Sequence, residues 1–225
     1  MANVRVIEIG ESVFAENDSM AAANRKQMKD QGTLFVNVMS GPGSGKTTTL
    51  TAIINRMKND YKIGEMDVDI ESSVDAQRVA DATGVEALQI HNMGLCHIDA
   101  DMTARALAQY DTKDLDLLIL ENIGNLVCPA EFDVGAGKNL MLLSVPEGDD
   151  KPLKYPLMFT IADVVLINKI DTLEYFDFDK EAVVDRILKL NPNSKIFFIS
   201  AKTGQGLDEV VEYLKDEIAK VKTGK

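Results

Sequence analysis

Tryptophan is missing from this chain, and cysteine and histidine occur only twice each. Two cysteines in 225 residues cannot build a disulfide scaffold, so Cys96 and Cys128 must serve some other chemistry. No stretch approaches the roughly 18 consecutive apolar residues that mark a membrane-crossing helix. The opening residues, MANVRVIEIGES, carry charges where a secretion signal needs an apolar centre. A cytoplasmic protein without a membrane partner is therefore expected. Positive charge is also in short supply. The net charge of −12 argues against a nucleic-acid partner, because phosphate backbones select basic surfaces. Repeats, low-complexity tracts and linker-like segments are absent as well. With 45% hydrophobic residues, the chain can bury one full core.

What the chain does have is centred on LFVNVMSGPGSGKTTTL, residues 34–50. An apolar run of strand length enters Gly41, Gly43 and Gly45, then Lys46, and the pattern continues as a helix. This is the sequence of a phosphate-binding P-loop. Glycines let successive backbone N–H groups turn inward, and the helix adds its positive N-terminal end, so Gly41, Gly43, Ser44, Gly45 and Thr48 can cradle polyphosphate oxygens. Lys46 is placed to reach the β- and γ-phosphates, and the Thr47 hydroxyl to ligate Mg²⁺. Ser40 stands where the pattern G-x-x-x-x-G-K-[ST] has its first glycine.

The order of elements around this loop predicts an α/β fold. Strands are expected near 34–39, 63–70, 85–90, 115–121, 139–145, 164–168 and 196–200. Helices are expected at 48–58, 74–82, 99–110, 180–190 and 207–221. Such alternation builds a doubly wound, mostly parallel sheet whose ligands sit at the carboxyl ends of the strands. Residues 1–33, with a short strand at Val4 to Ile9 and a helix from Glu11 to Lys29, read as a peripheral arm ahead of one domain spanning 34–225.

Two further segments carry nucleotide chemistry. The buried strand ending at Glu121 is followed by Gly124, so Glu121 is expected to hold Mg²⁺ through water and Gly124 to offer its N–H to a γ-phosphate. Asn125 stands where many GTPases place a water-orienting glutamine; its shorter carboxamide predicts slow intrinsic hydrolysis. Asn168-Lys169-Ile170-Asp171 is the guanine-reading N-K-x-D, in which the Asp171 carboxylate can accept from N1–H and the 2-amino group. Ser200-Ala201-Lys202 is its companion turn, able to donate to guanine O6. Together they predict GTP and GDP, rather than adenine nucleotides, as ligands.

Between two predicted helices lies His91-Asn92-Met93-Gly94-Leu95-Cys96-His97-Ile98-Asp99. A thiolate and an imidazole on adjacent loop residues can face one transition metal, and Cys128 follows Gly124 closely enough to join them. Missing donors would come from a second subunit across a two-fold axis. The same residues also fit a structural cysteine beside a surface histidine.

The segments SGPGSGKT, GLCHIDA, ENIGNLVCPAEFD, SVPEGDDKPLKYP, NKID and SAKTGQG together resemble the GTPases that deliver nickel during hydrogenase maturation, the HypB family. The resemblance covers nearly the whole chain from Leu34 on. It implies a P-loop fold of the SIMIBI class, phosphate and Mg²⁺ roles for Lys46 and Thr47, guanine recognition by Asn168 and Asp171, and Ni²⁺ or Zn²⁺ ligation by Cys96, His97 and Cys128. It implies GTP-dependent homodimerisation, a companion nickel chaperone and a hydrogenase large-subunit precursor as partners. The related urease GTPases usually carry a proline between the metal-binding cysteine and histidine, whereas Cys96 and His97 adjoin directly. Two departures stand out. Where relatives commonly read E-G-D, this chain has Asp67-Val68-Asp69; Asp69 is the acid expected near Mg²⁺ or water. The N-terminal arm also lacks the Cys and His that some relatives use for nickel storage. Urease, carbon monoxide dehydrogenase or a cobalamin enzyme as client, and a nucleotide-gated dimerisation module with a structural Cys and His, are the competing readings.

Overall fold

The computed structural model describes residues 10–69, 74–92 and 94–224. Its strands are β1 Leu34–Ser40, β2 Ile63–Asp69, β3 Ala87–His91, β4 Leu117–Gly124, β5 Lys138–Ser144, β6 Val164–Asn168 and β7 Lys195–Phe198. They form one sheet in the order β3-β2-β4-β1-β5-β6-β7, and every pairing is parallel. The helices are α1 Gly10–Asp30, α2 Lys46–Met57, α3 Val74–Thr83, α4 Ala100–Gln109, α5 Cys128–Glu131, α6 Lys151–Lys154, α7 Pro156–Thr160, α8 Lys180–Leu190 and α9 Leu207–Thr223. The short α5, α6 and α7 were not legible in the sequence, because four or five residues carry no helical period. The predicted Val4 to Ile9 strand lies outside the described residues.

β1 is buried along its whole length and runs between β4 and β5. From it the chain moves to one side through β2 and β3, returns to β4, and continues on the other side through β5 to β7. Ligands bind at such a reversal, outside the carboxyl ends of the strands, and the P-loop stands there.

Strand alternation sends Val36 and Val38 to one face, where they pack on Leu50, Ile53 and Ile54 of α2 and Val210 and Leu214 of α9. Phe35 and Met39 face the other way. Phe35 joins Met28 of α1 and Leu107 of α4, and Met39 joins Phe159 of α7 and Val183 of α8. The result is a three-layer sandwich, helices on both faces of a parallel sheet. Helix ends follow local chemistry. Asp99 caps α4 by accepting from the Met102 N–H, and Asp179 caps α8 by accepting from Ala182. Among the described residues, no helix is long and apolar enough to cross a membrane.

Residues 10–30 of the expected N-terminal arm form α1, which packs against the domain. Ala21 and Met28 of α1 are at most 1% exposed, and burying a Met side chain is worth roughly 1.5–3 kcal/mol. Asn24 Nδ2 donates to the carbonyls of Ala100 (2.8 Å) and Val134 (3.2 Å). Asn17 Oδ1 accepts from the Ala100 N–H, and Arg25 pairs with Asp133 at 2.6 Å. α1 thus fixes the start of α4 and the 133–136 segment, both next to the Cys96 loop.

Candidate functional site

The P-loop turns out of β1 at Ser40. Lys46 Nζ donates to Ser40 Oγ at 2.9 Å, and Ser40 Oγ donates to the Gly41 carbonyl at 2.7 Å. The serine in the first glycine position is thereby tied into the loop. Gly45 sits at φ +98°, and a Cβ there would lie 2.7 Å from Asn168 Nδ2, so both conformation and space demand glycine. Gly43, Gly45, Lys46, Thr47, Thr48, Glu121 and Ala201 line a cleft of about 690 Å³. Asp75 and Arg78 of α3, paired at 3.0 Å, form another part of its wall. The sequence reading did not single them out, since they carry no motif.

At the cleft floor, Thr47 Oγ1 donates to Glu121 Oε1 at 2.8 Å. Gly124 lies so close to the loop that a Cβ on it would meet Pro42 Cα at 3.1 Å and Lys46 Nζ at 3.5 Å. The acids beside Glu121 are Asp67 and Glu65, one oxygen from each of the three lying within 4.8 Å of the others. Asp69, the acid expected from sequence near Mg²⁺ or water, is not in this cluster. The cause is strand register: Asp67 pairs with Glu121, while Asp69 lies one alternation further on, opposite His91 of the edge strand β3. Burial raises all three carboxyl pKa values, Glu65 to about 9, Glu121 to about 7 and Asp67 to about 6, with neighbouring acids adding to the effect. Lys46 is lowered, because desolvation outweighs the pull of Glu121 and Asp67. The Thr47 hydroxyl beside Glu121 Oε1 gives the P-loop side an oxygen-only donor set, which suits Mg²⁺.

The base-reading segments converge on the same cleft. Asn168 Nδ2 donates to the Ser44 carbonyl at 2.9 Å and to Thr49 Oγ1 at 3.3 Å, while its Oδ1 accepts from Ala201 N at 3.1 Å. It therefore bolts the P-loop to the Ser200-Ala201-Lys202 turn. Lys169, at φ +63°, reaches back to the Gly43 carbonyl at 2.6 Å. Ser200 Oγ donates to Asp171 Oδ1 at 2.7 Å. Lys202 is exposed.

The thiol loop stands apart from these. Cys96 Sγ is 2.9 Å from Cys128 Sγ and 3.7 Å from His97 Nδ1, so Cys96 is within reach of each of the other two expected metal ligands. Both cysteines are free. The Cys128 thiol, hydrogen bonded to Cys96, raises the Cys96 pKa above the usual thiol value. The His97 ring stacks on the Phe132 ring at 3.9 Å, and Phe14 of α1 packs tilted against the same Phe132 ring at 5.5 Å. Asn92 holds the loop through the carbonyls of Leu95 and His97. Asn125 spans the two cysteine segments: its Nδ2 donates to the Cys96 carbonyl at 3.3 Å, and its Oδ1 accepts from Val127 N at 2.8 Å. His91 is exposed on β3 and takes no part in the cluster.

The CobW/HypB/UreG nucleotide-binding domain matches residues 35–198. The chain belongs to the HypB branch of this family. The hydrogenase maturation factor HypB of Azotobacter chroococcum is 40% identical over 215 residues, covering 96% of this chain and 70% of its own. The hydrogenase/urease maturation factor HypB of Helicobacter hepaticus is 39% identical, covering 96% of this chain and 90% of its own. The crystal structure of HypB from Helicobacter pylori in complex with nickel superposes with a TM-score of 0.85 at 39% identity, over 91% of this chain and 96% of that one. The fold is also that of the signal recognition particle receptor FtsY from Elizabethkingia anophelis (TM-score 0.56, 15% identity).

Proposed function

We propose that the protein is a GTP-hydrolysing metallochaperone that binds Ni²⁺, or Zn²⁺ at the same place, through Cys96, His97 and Cys128, and couples GTP-dependent dimerisation to nickel delivery during [NiFe]-hydrogenase maturation. Its partners on this reading are a second copy of itself, a companion nickel chaperone and the hydrogenase large-subunit precursor. The observation that carries it is the continuity of two sites: Gly124, against the P-loop, is followed by Asn125, bonded to the Cys96 carbonyl, and then by Cys128.

In hydrolysis, water attacks the γ-phosphorus and the bond to the β–γ bridging oxygen breaks, giving GDP and phosphate. Lys46 and the P-loop amides neutralise charge on the phosphates, and Gly124 N–H meets the γ-phosphate. Thr47 and, through water, Glu121 would hold Mg²⁺, which would supply further neutralisation of the leaving oxygens. Asp171, oriented by Ser200, selects guanine. Asn125, already engaged with Cys96 and Val127, is poorly placed to orient the attacking water, which keeps intrinsic turnover slow. Loss of the γ-phosphate releases Gly124, and Asn125 and Cys128 move with it, loosening the metal.

The Helicobacter hepaticus relative's description favours urease as a second client class. The deciding measurement is metal affinity by competition with a chromophoric chelator, in the GDP and GTP-analogue states. The expected difference is about 5–150-fold, tighter with the analogue. Equal affinities in a sample that binds both nucleotides would overturn the coupling.

A further inference from the structure

Glu65 is unexplained by either site. It lies on β2 beneath the nucleotide cleft, 0% exposed, and neither carboxylate oxygen has a protein donor. A buried carboxylate without a donor is costly, and proteins rarely retain one. Here the deficit is shared. Asp67 Oδ2 and Glu121 Oε2 are likewise buried and undonated, and the three side chains bring oxygens within 4.8 Å of one another. Gln89, paired with Asp67 across β3, donates its Nε2 to the Asp67 carbonyl and leaves a buried Oε1 with no donor on the same sheet face. Apart from the Gln89 amide nitrogen, the inventory is all acceptors.

Glu121 divides its two oxygens. Oε1 takes the Thr47 hydroxyl on the P-loop side; Oε2 is the one left undonated. The first belongs to the nucleotide's Mg²⁺ on the reading above. The second, with Glu65 and Asp67, needs positive charge of its own. Lys46 acts electrostatically on Glu121 and Asp67, but its ammonium donates to Ser40 Oγ on the loop.

We infer that Glu65, Asp67 and Glu121 Oε2 form a second, inner site for a hard divalent cation, filled without nucleotide and distinct from both the nucleotide's Mg²⁺ and the thiol site. The chemistry selects its occupant. Oxygen-only carboxylate sites take Mg²⁺, Mn²⁺ or Ca²⁺, whereas thiolate and imidazole sites take Ni²⁺ and Zn²⁺. Neighbouring ligand oxygens around such a cation lie about 3–3.5 Å apart, so oxygens already within 4.8 Å of one another need to close in by at most about 1–2 Å. A P-loop Mg²⁺ borrows ligands from phosphate; three carboxylates supplied by the protein need none. The cation would brace β2 against β4, under the floor of the cleft.

The test uses Mn²⁺ and the full chain carrying Cys96→Ala and Cys128→Ala, which silences the thiol site, with free Mn²⁺ followed by electron paramagnetic resonance. One Mn²⁺ per chain is expected without nucleotide, and two with a non-hydrolysable GTP analogue. Adding Glu65→Gln should leave none without nucleotide and one with it; the retained nucleotide-dependent ion shows that the variant is folded. Mn²⁺ should raise the Tm of the parent but not of Glu65→Gln. Should that variant fail to fold, Glu65→Asp keeps the charge and shortens the reach, and is expected to weaken the inner ion at least about tenfold. No Mn²⁺ in the nucleotide-free parent, a count that stays at one when the analogue is added, or unchanged binding in the Glu65 variants would each overturn the inner site. The inference rests on the proposed function only for the nucleotide's own cation. Nickel is absent from the test, so its failure and a failure of nickel coupling are distinguishable.

Discussion

In the nucleotide cleft, Asn168 is 2% exposed and Ser200 is fully buried, and each side chain makes hydrogen bonds to more than one segment. In the thiol loop, Cys96 is exposed and held mainly through backbone carbonyls taken up by Asn92 and Asn125. The cleft is preorganised because its task is to stabilise a fixed charge distribution, and any looseness would cost rate. On the proposed function, the loop is lightly held because a carrier must take up a metal and let it go. A side chain locked on all sides gives strong binding with little means of release. The join between the two is a short stretch, Gly124 to Cys128, so the contrast can be tested by cutting each region and reading the other.

The largest effect is expected from Lys46→Ala. Turnover should fall by at least about 10²–10³-fold, the scale of losing one preorganised donor to developing charge, while stoichiometric nickel binding to the GDP-free protein persists. Nickel binding lost in parallel would mean that the two regions are one rigid unit. Next, Asp171→Asn should weaken GTP by about 1–3 kcal/mol, as expected when buried donors and acceptors no longer match, and improve xanthosine triphosphate; equal affinity of the unmutated protein for ATP and GTP would remove Asp171 from its role. Asn125→Ala sharpens the comparison at the join. GTP and metal should each still bind, and the ratio of metal affinities between GTP-analogue and GDP states should fall toward one. An unchanged ratio would show that Asn125 merely ties down a loop.

The smallest effect concerns pH. A carboxyl whose pKa is raised on folding contributes stability below its unfolded value, near 4.5, and loses it as pH climbs through the folded value. For Glu65 the window runs from 4.5 to about 9. With chelator present and nucleotide absent, stability should therefore decline as pH rises across that window. Glu65→Gln, which brings an amide donor to an all-acceptor cluster, should flatten the decline and raise the Tm at pH 8 by about 2–4 °C, the shift that about 1 kcal/mol gives in a chain of this size. A steeper decline in the variant would contradict the placement of the proton on Glu65.

The amino-acid sequence by itself determined the P-loop, the guanine-reading segments, the three metal-ligand candidates and the parallel α/β fold. The P-loop and each base-reading segment are written in contiguous residues, because backbone amides that cradle phosphate and a carboxylate that reads a base must come from one tight turn; the fold is legible because a parallel sheet forces strand and helix to alternate. Tertiary structure alone decided which acid stands beside Glu121. That answer depends on the register between β2 and β4, 54 residues apart, which set Asp67 rather than Asp69 opposite Glu121 and buried Glu65 beneath them. It also decided the place of α1, whose weak amphipathic pattern gave no hint that Asn17 and Asn24 would satisfy backbone groups at Ala100 and Val134. Asn125 followed the same rule. Its position in the motif suggested a water, but the fold brought the Cys96 carbonyl within reach, and a buried or half-buried amide bonds to the partner that packing supplies.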